Sequence, residues 1–349
     1  MKTIPPLLAL LILMNACAPS FSNLDTLQFA DLQYASPDGR PWQERSLSLP
    51  ELNAAHNLPP DTRVHIVELG PPDGQPLIFI HGLGSYLKFW RFQLDTFAAQ
   101  GYRVIALDLL GYGKSSKPAT FPYTTEAMAS LVRELASSLN AQKPILVGHS
   151  MGGQTALSFA IQFPDDLKAL VLTAPAGFEH FSDRERAWFH DVFTTSLIKN
   201  TDEDGVRTAI ARNNFARWRD DLEWLVEERV RLTRSADFDA YAYANVRSVH
   251  GLAHNDFVRD NLSRVRAPTL IIHGDWDRLI PNPFLHPGHT LDIMTFGRDN
   301  IPNARLVTLD RCGHALQLDC PDRYNQEVAA FLLSLDKPST TGSPAGALP

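Results

Sequence analysis

The sequence predicts an α/β fold in which a mostly parallel central sheet is flanked by helices and carries an all-helical insertion. Three observations lead to this class. Short apolar runs alternate with helical patterns along most of the 349 residues. One long interval, residues 178–265, has no strand pattern. The composition, 44% hydrophobic and 20% charged, is that of a globular chain with a sizeable core.

The strands are predicted from short runs that are leucine-rich or β-branched and bounded by turn residues or charges, which is typical of strands covered on both faces. These runs are residues 77–80, 104–107, 145–147, 169–172, 270–272 and 306–309. Residues 63–69 alternate between apolar and polar side chains, which predicts an edge strand. Helical patterns separate most of the runs, so the strands should be largely parallel.

The helical patterns cover residues 87–100, 125–139, 151–163 and 324–335. We assign the core to residues 61–177 and 266–336, and a helical cap over one end of the sheet to residues 178–265. Most aromatic residues of the cap should form its own core, and a few should line a pocket. Residues 18–60 are predicted to be a tether and an irregular lead-in, and residues 337–349 a disordered tail.

The N-terminus has the layout of an export signal, which we place at residues 1–17. Lys2 supplies a positive charge, and the apolar stretch 7–14 is too short to span a bilayer. The segment resembles a bacterial lipoprotein signal in which Cys17 is acylated and becomes the new N-terminus. Ala18 after that cysteine implies, by the same resemblance, an outer-membrane lipoprotein of the cell envelope. Cleavage after Ala18, which gives a periplasmic or secreted protein, and an uncleaved anchor are the alternatives.

The charge and the cysteines restrict the partners. A formal charge of −7 and a pI near 5.9 argue against nucleic acid, which needs a basic surface. No zinc-like Cys/His spacing is present, so we expect neither a metal nor another cofactor. The oligomeric state is left open. If Cys17 is used for acylation, Cys312 and Cys320 are left as a pair that forms either a disulfide or two buried thiols.

The segment Gly148-His149-Ser150-Met151-Gly152 carries the strongest functional signal. It follows an apolar run and precedes a helical pattern, so Ser150 lies on a sharp turn from strand to helix. The glycines on either side leave room for such a turn and raise the hydroxyl at the edge of the sheet. This pattern favours a serine nucleophile.

A serine nucleophile needs a base and an acid, and both follow later strands. Residues 270–272 run into Asp275 and Asp277, and residues 306–309 run into Gly313 and His314. Carboxyl ends of parallel strands meet at one edge of the sheet, so these groups should lie near Ser150. The order Ser, Asp, His is that of a Ser-His-Asp triad on an α/β scaffold.

The oxyanion of the reaction needs backbone N–H groups as donors. One should come from Met151, the residue after the serine. The other should come from the loop that follows residues 77–80, where Gly82 and Gly84 let the backbone approach the substrate. We therefore predict the N–H of Leu83 as the second donor, and expect His81 to shape this loop and His149 to pack beside the turn.

Together these motifs resemble those of α/β-hydrolase-fold serine hydrolases with a helical cap, such as bacterial esterases and lipases, over residues 63–335. In that family the acid usually lies three residues after the glycine of the His-Gly-Asp segment, which selects Asp277 rather than Asp275. The resemblance implies cleavage of carboxylic esters through an acyl-enzyme, and the aromatic content of the cap favours small to medium apolar or aromatic substrates. A C–C bond hydrolase, a cofactor-free haloperoxidase and a non-catalytic binding protein on the same scaffold remain alternatives.

Overall fold

The computed structural model describes residues 20–335, which form one eight-stranded sheet of order β1-β2-β4-β3-β5-β6-β7-β8. The strands are β1 Glu44–Leu47, β2 Val64–Leu69, β3 Pro76–Ile80, β4 Arg103–Asp108, β5 Ile145–His149, β6 Ala169–Thr173, β7 Thr269–Gly274 and β8 Ala304–Leu309. Only β2 runs against its neighbours; the other pairs are parallel. The predicted mostly parallel sheet is confirmed. The predicted signal, Cys17 and the tail 337–349 lie outside the described residues.

Helices fill the crossovers between the parallel strands, as right-handed βαβ connections require. The helices are α1 Pro50–Ala55, α2 Leu94–Ala99, α3 Thr125–Ser138, α4 Met151–Gln162, α5 Asp183–Val192, α6 Thr195–Lys199, α7 Glu203–Arg207, α8 Trp224–Leu232, α9 Phe238–Ala253, α10 Phe257–Asp260, α11 Thr290–Asn300, α12 Leu316–Asp319 and α13 Pro321–Leu335. The predicted helix 87–100 is a 3₁₀ turn, Leu87–Trp90, followed by α2. Both forms place residues three or four apart on one face, so the sequence pattern does not separate them.

Residues 174–268, between β6 and β7, are all described by the structure and contain helices α5 to α10 with short 3₁₀ and π turns, but no strand. We call this interval the helical insertion. It has small apolar clusters of its own, one around Phe189 and Val249 and another around Phe215 and Leu222. Trp218, Trp224 and Tyr241 also pack within or beneath it, as the sequence leads one to expect for most of its aromatic residues.

The lead-in differs from the predicted tether, because much of residues 29–60 packs into the folded core. Phe29, Leu32 and Tyr34 are buried, and the Tyr34 hydroxyl donates a 2.6 Å hydrogen bond to the buried carboxylate of Asp108. The lead-in also supplies β1, so β2 is an internal strand and not the predicted edge strand. The sequence gives little sign of β1, since its four residues are mostly polar and none of them is fully buried.

The topology brings the ends of β3, β5, β7 and β8 to one edge of the sheet, next to the helical insertion. Strands β5, β6 and β7 are buried along their whole length, which makes this edge a rigid base for the loops that follow. No helix within residues 20–335 is long and apolar enough to cross a membrane.

Candidate active site

Ser150 occupies the turn between β5 and α4 with a backbone of φ 53° and ψ −115°, in the region that favours glycine. Three neighbours hold this conformation. The Ser150 N–H donates to the Thr173 carbonyl at 2.9 Å, and its own carbonyl accepts from Gly153 at 2.9 Å and Ala176 at 3.1 Å. Such a backbone persists only when the surroundings fix it, and here the ends of β6 and α4 do so.

The two glycines of the turn are required by close backbone packing. A side chain at Gly148 would collide with the Gly152 carbonyl, and a side chain at Gly152 would collide with the carbonyls of Ile80 and His81. The absence of Cβ at both positions therefore lets the start of α4 press against β5 and the end of β3. This packing fixes the place where the Ser150 hydroxyl leaves the sheet.

His314 and Asp277, which the sequence predicts as base and acid, lie in hydrogen-bond contact. The His314 Nδ1–H donates to Asp277 Oδ2 at 2.7 Å, and Asp277 Oδ1 accepts from the N–H groups of Leu279 at 2.8 Å and Ile280 at 3.2 Å. The Asp277 side chain is 0% exposed and that of His314 is 4% exposed. Asp275 instead accepts from the Arg311 N–H. The His314–Asp277 hydrogen bond orients the imidazole with Nδ1 toward the carboxylate.

A cleft of about 460 Å³ is lined by Ser150, His314 and Leu83. Gly82, at the start of the loop that carries Leu83, lies so close that a Cβ there would be 3.2 Å from Ser150 Cβ. Met151 is the first residue of α4, so its N–H belongs to the positive end of that helix. The structure therefore brings together the serine, the histidine and both of the predicted donor segments.

Two buried histidines support these loops. His81 Nδ1–H donates to the Gly82 carbonyl at 2.8 Å, and its Nε2 accepts from the Leu109 N–H at 3.0 Å. This pattern requires the neutral ring, and burial lowers the pKa of His81. His149 Nε2–H donates to the His314 carbonyl at 3.1 Å. Burial and the neighbouring His314 hold the pKa of His149 well below its usual value, so this ring is neutral too.

The predicted pair of cysteines forms a disulfide, with Cα atoms 6.1 Å apart. It encloses the turn that carries His314. Within this turn the Gly313 N–H donates to Asp319 Oδ2 at 2.7 Å. The structure thus brings Cys312 and Cys320 together, the first of the two arrangements that the sequence leaves open.

Two consecutive residues of α8, in the helical insertion, contact the loop after β3. Glu228 pairs with Lys88 Nζ at 2.5 Å and accepts the hydroxyl hydrogen of Tyr86. Arg229 donates through Nη2 to the Gly84 carbonyl and lies over the Tyr241 ring, 4.9 Å from its centroid. Gly84 has φ +69°, a backbone conformation that favours glycine, and its carbonyl faces Arg229.

The sequence offered no sign of this second group, because its partners are far apart in the chain and match no motif. The Lys88–Glu228 contact joins residues 140 positions apart, and the Arg229–Gly84 contact joins residues 145 apart. Only the structure shows that both charged residues are buried, and buried charged residues usually have a partner. Lys88 and Glu228 are 8% and 9% exposed.

The rest of the cleft is mainly apolar. Its aromatic lining comes from both the core and the helical insertion: Tyr86, Phe89, Phe181, Phe189, Phe193, Phe215 and Phe284. Its charged members have partners, for example Glu179, which accepts from His286 at 2.8 Å. Within residues 20–335 no group of three or more His, Cys, Asp or Glu side chains could hold a metal ion.

Comparison with known proteins agrees with this architecture. The sequence profile of the alpha/beta hydrolase fold matches residues 75–321. A 2-hydroxy-6-oxononadienedioate/2-hydroxy-6-oxononatrienedioate hydrolase of Burkholderia vietnamiensis is 28% identical over 78% of this chain and 91% of its own length. A probable hydrolytic enzyme of Pseudomonas aeruginosa PAO1 superposes with a TM-score of 0.74 at 22% identity, over 90% of this chain and 99% of its own.

An esterase of Exiguobacterium antarcticum superposes with a TM-score of 0.65 at 22% identity, over 78% of this chain and 96% of its own. At these identities the solved structures establish the fold alone. The profile match, by contrast, spans most of the chain, from just before β3 to the end of α12. The chain therefore belongs to the family of hydrolases with the α/β-hydrolase fold.

Proposed function

We propose that this protein hydrolyses carboxylic esters through an acyl-enzyme. His314 Nε2 accepts the Ser150 hydroxyl proton as the oxygen attacks the ester carbonyl, while Asp277 stabilises the imidazolium. The N–H groups of Leu83 and Met151 donate to the oxyanion. His314 then protonates the leaving alcohol, and a water molecule repeats the sequence on the acyl-enzyme. The reaction needs no metal and no cofactor.

One observation carries this proposal. A serine held at positive φ and a buried histidine–carboxylate pair line the same cleft, with the His314 Nδ1–Asp277 Oδ2 distance at 2.7 Å. A strained backbone costs free energy, and a protein that only binds its ligand would not need a strained serine beside such a pair. The apolar lining supports esters with an apolar acyl or aromatic group. Rates on p-nitrophenyl esters of graded chain length measure that preference.

The nucleophile is tested with Ser150→Ala. We expect loss of ester hydrolysis and of labelling by a fluorophosphonate, because both need the serine oxygen. Ser158→Ala is a matched control on the same helix, where the Ser158 hydroxyl donates to Thr125 at 3.1 Å, away from the cleft. Labelling that survives in Ser150→Ala but disappears in Ser158→Ala would contradict the assignment.

A C–C bond hydrolase is a second candidate, because the Burkholderia relative is named as a hydrolase of 2-hydroxy-6-oxononadienedioate. The same serine, histidine and aspartate would serve that reaction. Comparison of kcat/KM for ring-fission diketones and for simple esters decides between the two. A preference for the diketones by a factor of a hundred or more would replace the ester proposal.

We also propose that the chain is exported and acylated at Cys17, in a sequence context that resembles a lipoprotein signal. Incorporation of an alkyne-labelled fatty acid into the wild type and its loss in Cys17→Ser would support this. A soluble product beginning at Pro19 would favour cleavage after Ala18 by an ordinary signal peptidase instead.

A further inference from the structure

The first described residues of the chain are fastened to the helical insertion and not to the sheet. We call residues 20–25 the strap. The Glu203 carboxylate accepts from the N–H of Phe21 at 2.9 Å and from the N–H of Ser22 at 3.0 Å, and it also accepts the hydroxyl hydrogens of Ser20 and Ser22. Glu203 is the first residue of α7. The strap therefore begins on the surface of the insertion.

Two arginines and an apolar contact fix the rest of the strap. Arg231 donates to the Asp25 carbonyl at 2.9 Å, and Arg234 donates to the Ser22 carbonyl at 2.7 Å. Phe21 is 6% exposed and packs in one cluster with Val206 and residues of α8. Contacts of three kinds thus hold the strap against α7 and α8.

The length of chain before the strap then limits where a lipid on Cys17 could lie. Cys17 and Ser20 are three residues apart. An extended chain spans at most about 3.6 Å per residue, so the acylated cysteine lies within roughly 11 Å of Ser20. This distance is about the diameter of a single helix. A lipid anchor this short would hold the insertion itself against the membrane.

The insertion also carries apolar side chains that are exposed to solvent. Val192 and Leu197 are 39% and 46% exposed. Val192 directly precedes Phe193, which lines the cleft. The Leu197 carbonyl accepts a hydrogen bond from Thr201, which lies two residues before Glu203. Phe284, 76% exposed at the cleft, contacts Trp188 of the insertion, with ring centroids 6.1 Å apart. Exposed apolar side chains therefore occur both at the cleft and in the stretch of chain that leads from it to Glu203, which binds the strap.

We propose that the helical insertion docks on a lipid surface and that the cleft takes its substrate, a long-chain acyl ester, from that surface. Docking rests on acylation of Cys17, and the ester chemistry rests on the proposed function. Exposed apolar side chains would enter the headgroup boundary as those of an interfacial helix do. The acyl chain would then pass from the lipid to the aromatic lining of the cleft without crossing water.

The orientation is tested on the full-length acylated protein in phosphatidylethanolamine–phosphatidylglycerol vesicles that contain nitroxide-labelled lipid. The chain has three cysteines, one acylated and two in the disulfide, so an added cysteine is a unique free thiol. A fluorophore on Leu197→Cys should be quenched several-fold more than one on Leu333→Cys, which is 65% exposed on α13. Equal quenching, stronger quenching at 333, or no acylation of Cys17 would overturn the proposal.

The substrate is tested with Val192→Asp/Leu197→Asp, whose positions do not line the cleft. Hydrolysis of a long-chain ester embedded in the vesicles should fall roughly ten-fold, while hydrolysis of dissolved p-nitrophenyl butyrate should be unchanged. Leu333→Asp is the control and should change neither rate. Equal losses on both esters, or no loss on either, would contradict uptake from the lipid. If Ser150→Ala retains full activity, the proposed chemistry fails, whereas the quenching still decides the orientation.

Discussion

At the scale of single residues, the contact between Arg229 and the Gly84 carbonyl links the helical insertion to the predicted oxyanion donor. Leu83 directly precedes Gly84, so this contact restrains the backbone on the C-terminal side of the predicted donor. Arg229 does not reach the reacting atoms through this contact. It acts as a positioning residue for the loop.

We expect Arg229→Met to lower kcat roughly ten-fold with little change in KM, less than the 10²–10³ lost with a whole oxyanion donor. Affinity for a trifluoromethyl ketone, which forms the tetrahedral oxyanion, should fall by the same factor. Arg231→Met, on the same helix, is the matched control, because Arg231 binds Glu227 and the Asp25 carbonyl instead. Similar losses in the two variants would assign Arg229 a merely structural role.

The choice of acid gives a second prediction at this scale. Asp277→Asn keeps the size of the side chain but removes the charge that fixes the His314 tautomer, so kcat should fall by about 10⁴. Asp275→Asn should retain activity within a few-fold, because Asp275 accepts from the Arg311 backbone and does not contact His314. Steady-state kinetics on one p-nitrophenyl ester measures both. The reverse order of effects would transfer the role to Asp275.

The residues that could be predicted from the sequence share one property. Ser150 and Asp277 each follow a buried strand and His314 follows the partly exposed edge strand β8, and the strand pattern alone places all three at one edge of the sheet. Glu228 and Arg229 lie within a helix whose docking depends on the whole tertiary structure. No local pattern indicates which face of such a helix meets the core.

At the scale of elements, the turn that carries His314 is closed by the Cys312–Cys320 disulfide. A cross-link over eight positions restricts the unfolded chain and contributes about 2.5 kcal/mol in the chain-entropy treatment. Loss of the bridge also frees the backbone on both sides of the base. Stability and turnover should therefore both fall when the disulfide is reduced.

We expect dithiothreitol to lower the melting temperature by several degrees and to reduce ester hydrolysis, both measured on the same sample. Cys312→Ser/Cys320→Ser should show the lower values from the start and should not respond to the reductant. A wild type that melts at the same temperature with and without dithiothreitol would mean that the bridge contributes nothing to stability.

The lead-in shows why other elements escaped prediction. Its strand β1 pairs with β2 through backbone hydrogen bonds, and its side chains are only partly buried, so little alternation is visible in the sequence. Its buried residues Phe29, Leu32 and Tyr34 have no regular spacing. They pack through irregular segments, which periodicity cannot detect.

At the scale of the whole molecule, buried neutral histidines couple stability to pH. Burial lowers the pKa values of His81, His149 and His273 in the folded protein, whereas an unfolded histidine titrates near 6.5. Below that pH the unfolded chain binds more protons than the folded one, so the folded state loses stability as the pH falls. His254 acts in the opposite direction, because its hydrogen bond to Glu126 raises its pKa.

We expect the urea midpoint to fall between pH 7.5 and pH 5, because burial also lowers the pKa values of His56 and His250, and five such histidines outweigh one. Each uncompensated proton changes the free energy of unfolding by about 1.4 kcal/mol per pH unit. Urea melts at constant ionic strength measure the slope. A midpoint that is flat or rises toward pH 5 would show that these rings are protonated in the folded state.

The backbone at Ser150 sets a limit on how stable this protein can be while it keeps a hydroxyl there. A residue with a side chain at φ 53° and ψ −115° costs about 1–3 kcal/mol, whereas glycine adopts such a backbone without that cost. A chain with glycine at position 150 would therefore unfold at a higher temperature than this one, and it would lack the oxygen that the proposed reaction needs. Selection for thermal stability alone would therefore favour glycine at position 150, whereas the proposed reaction requires serine there.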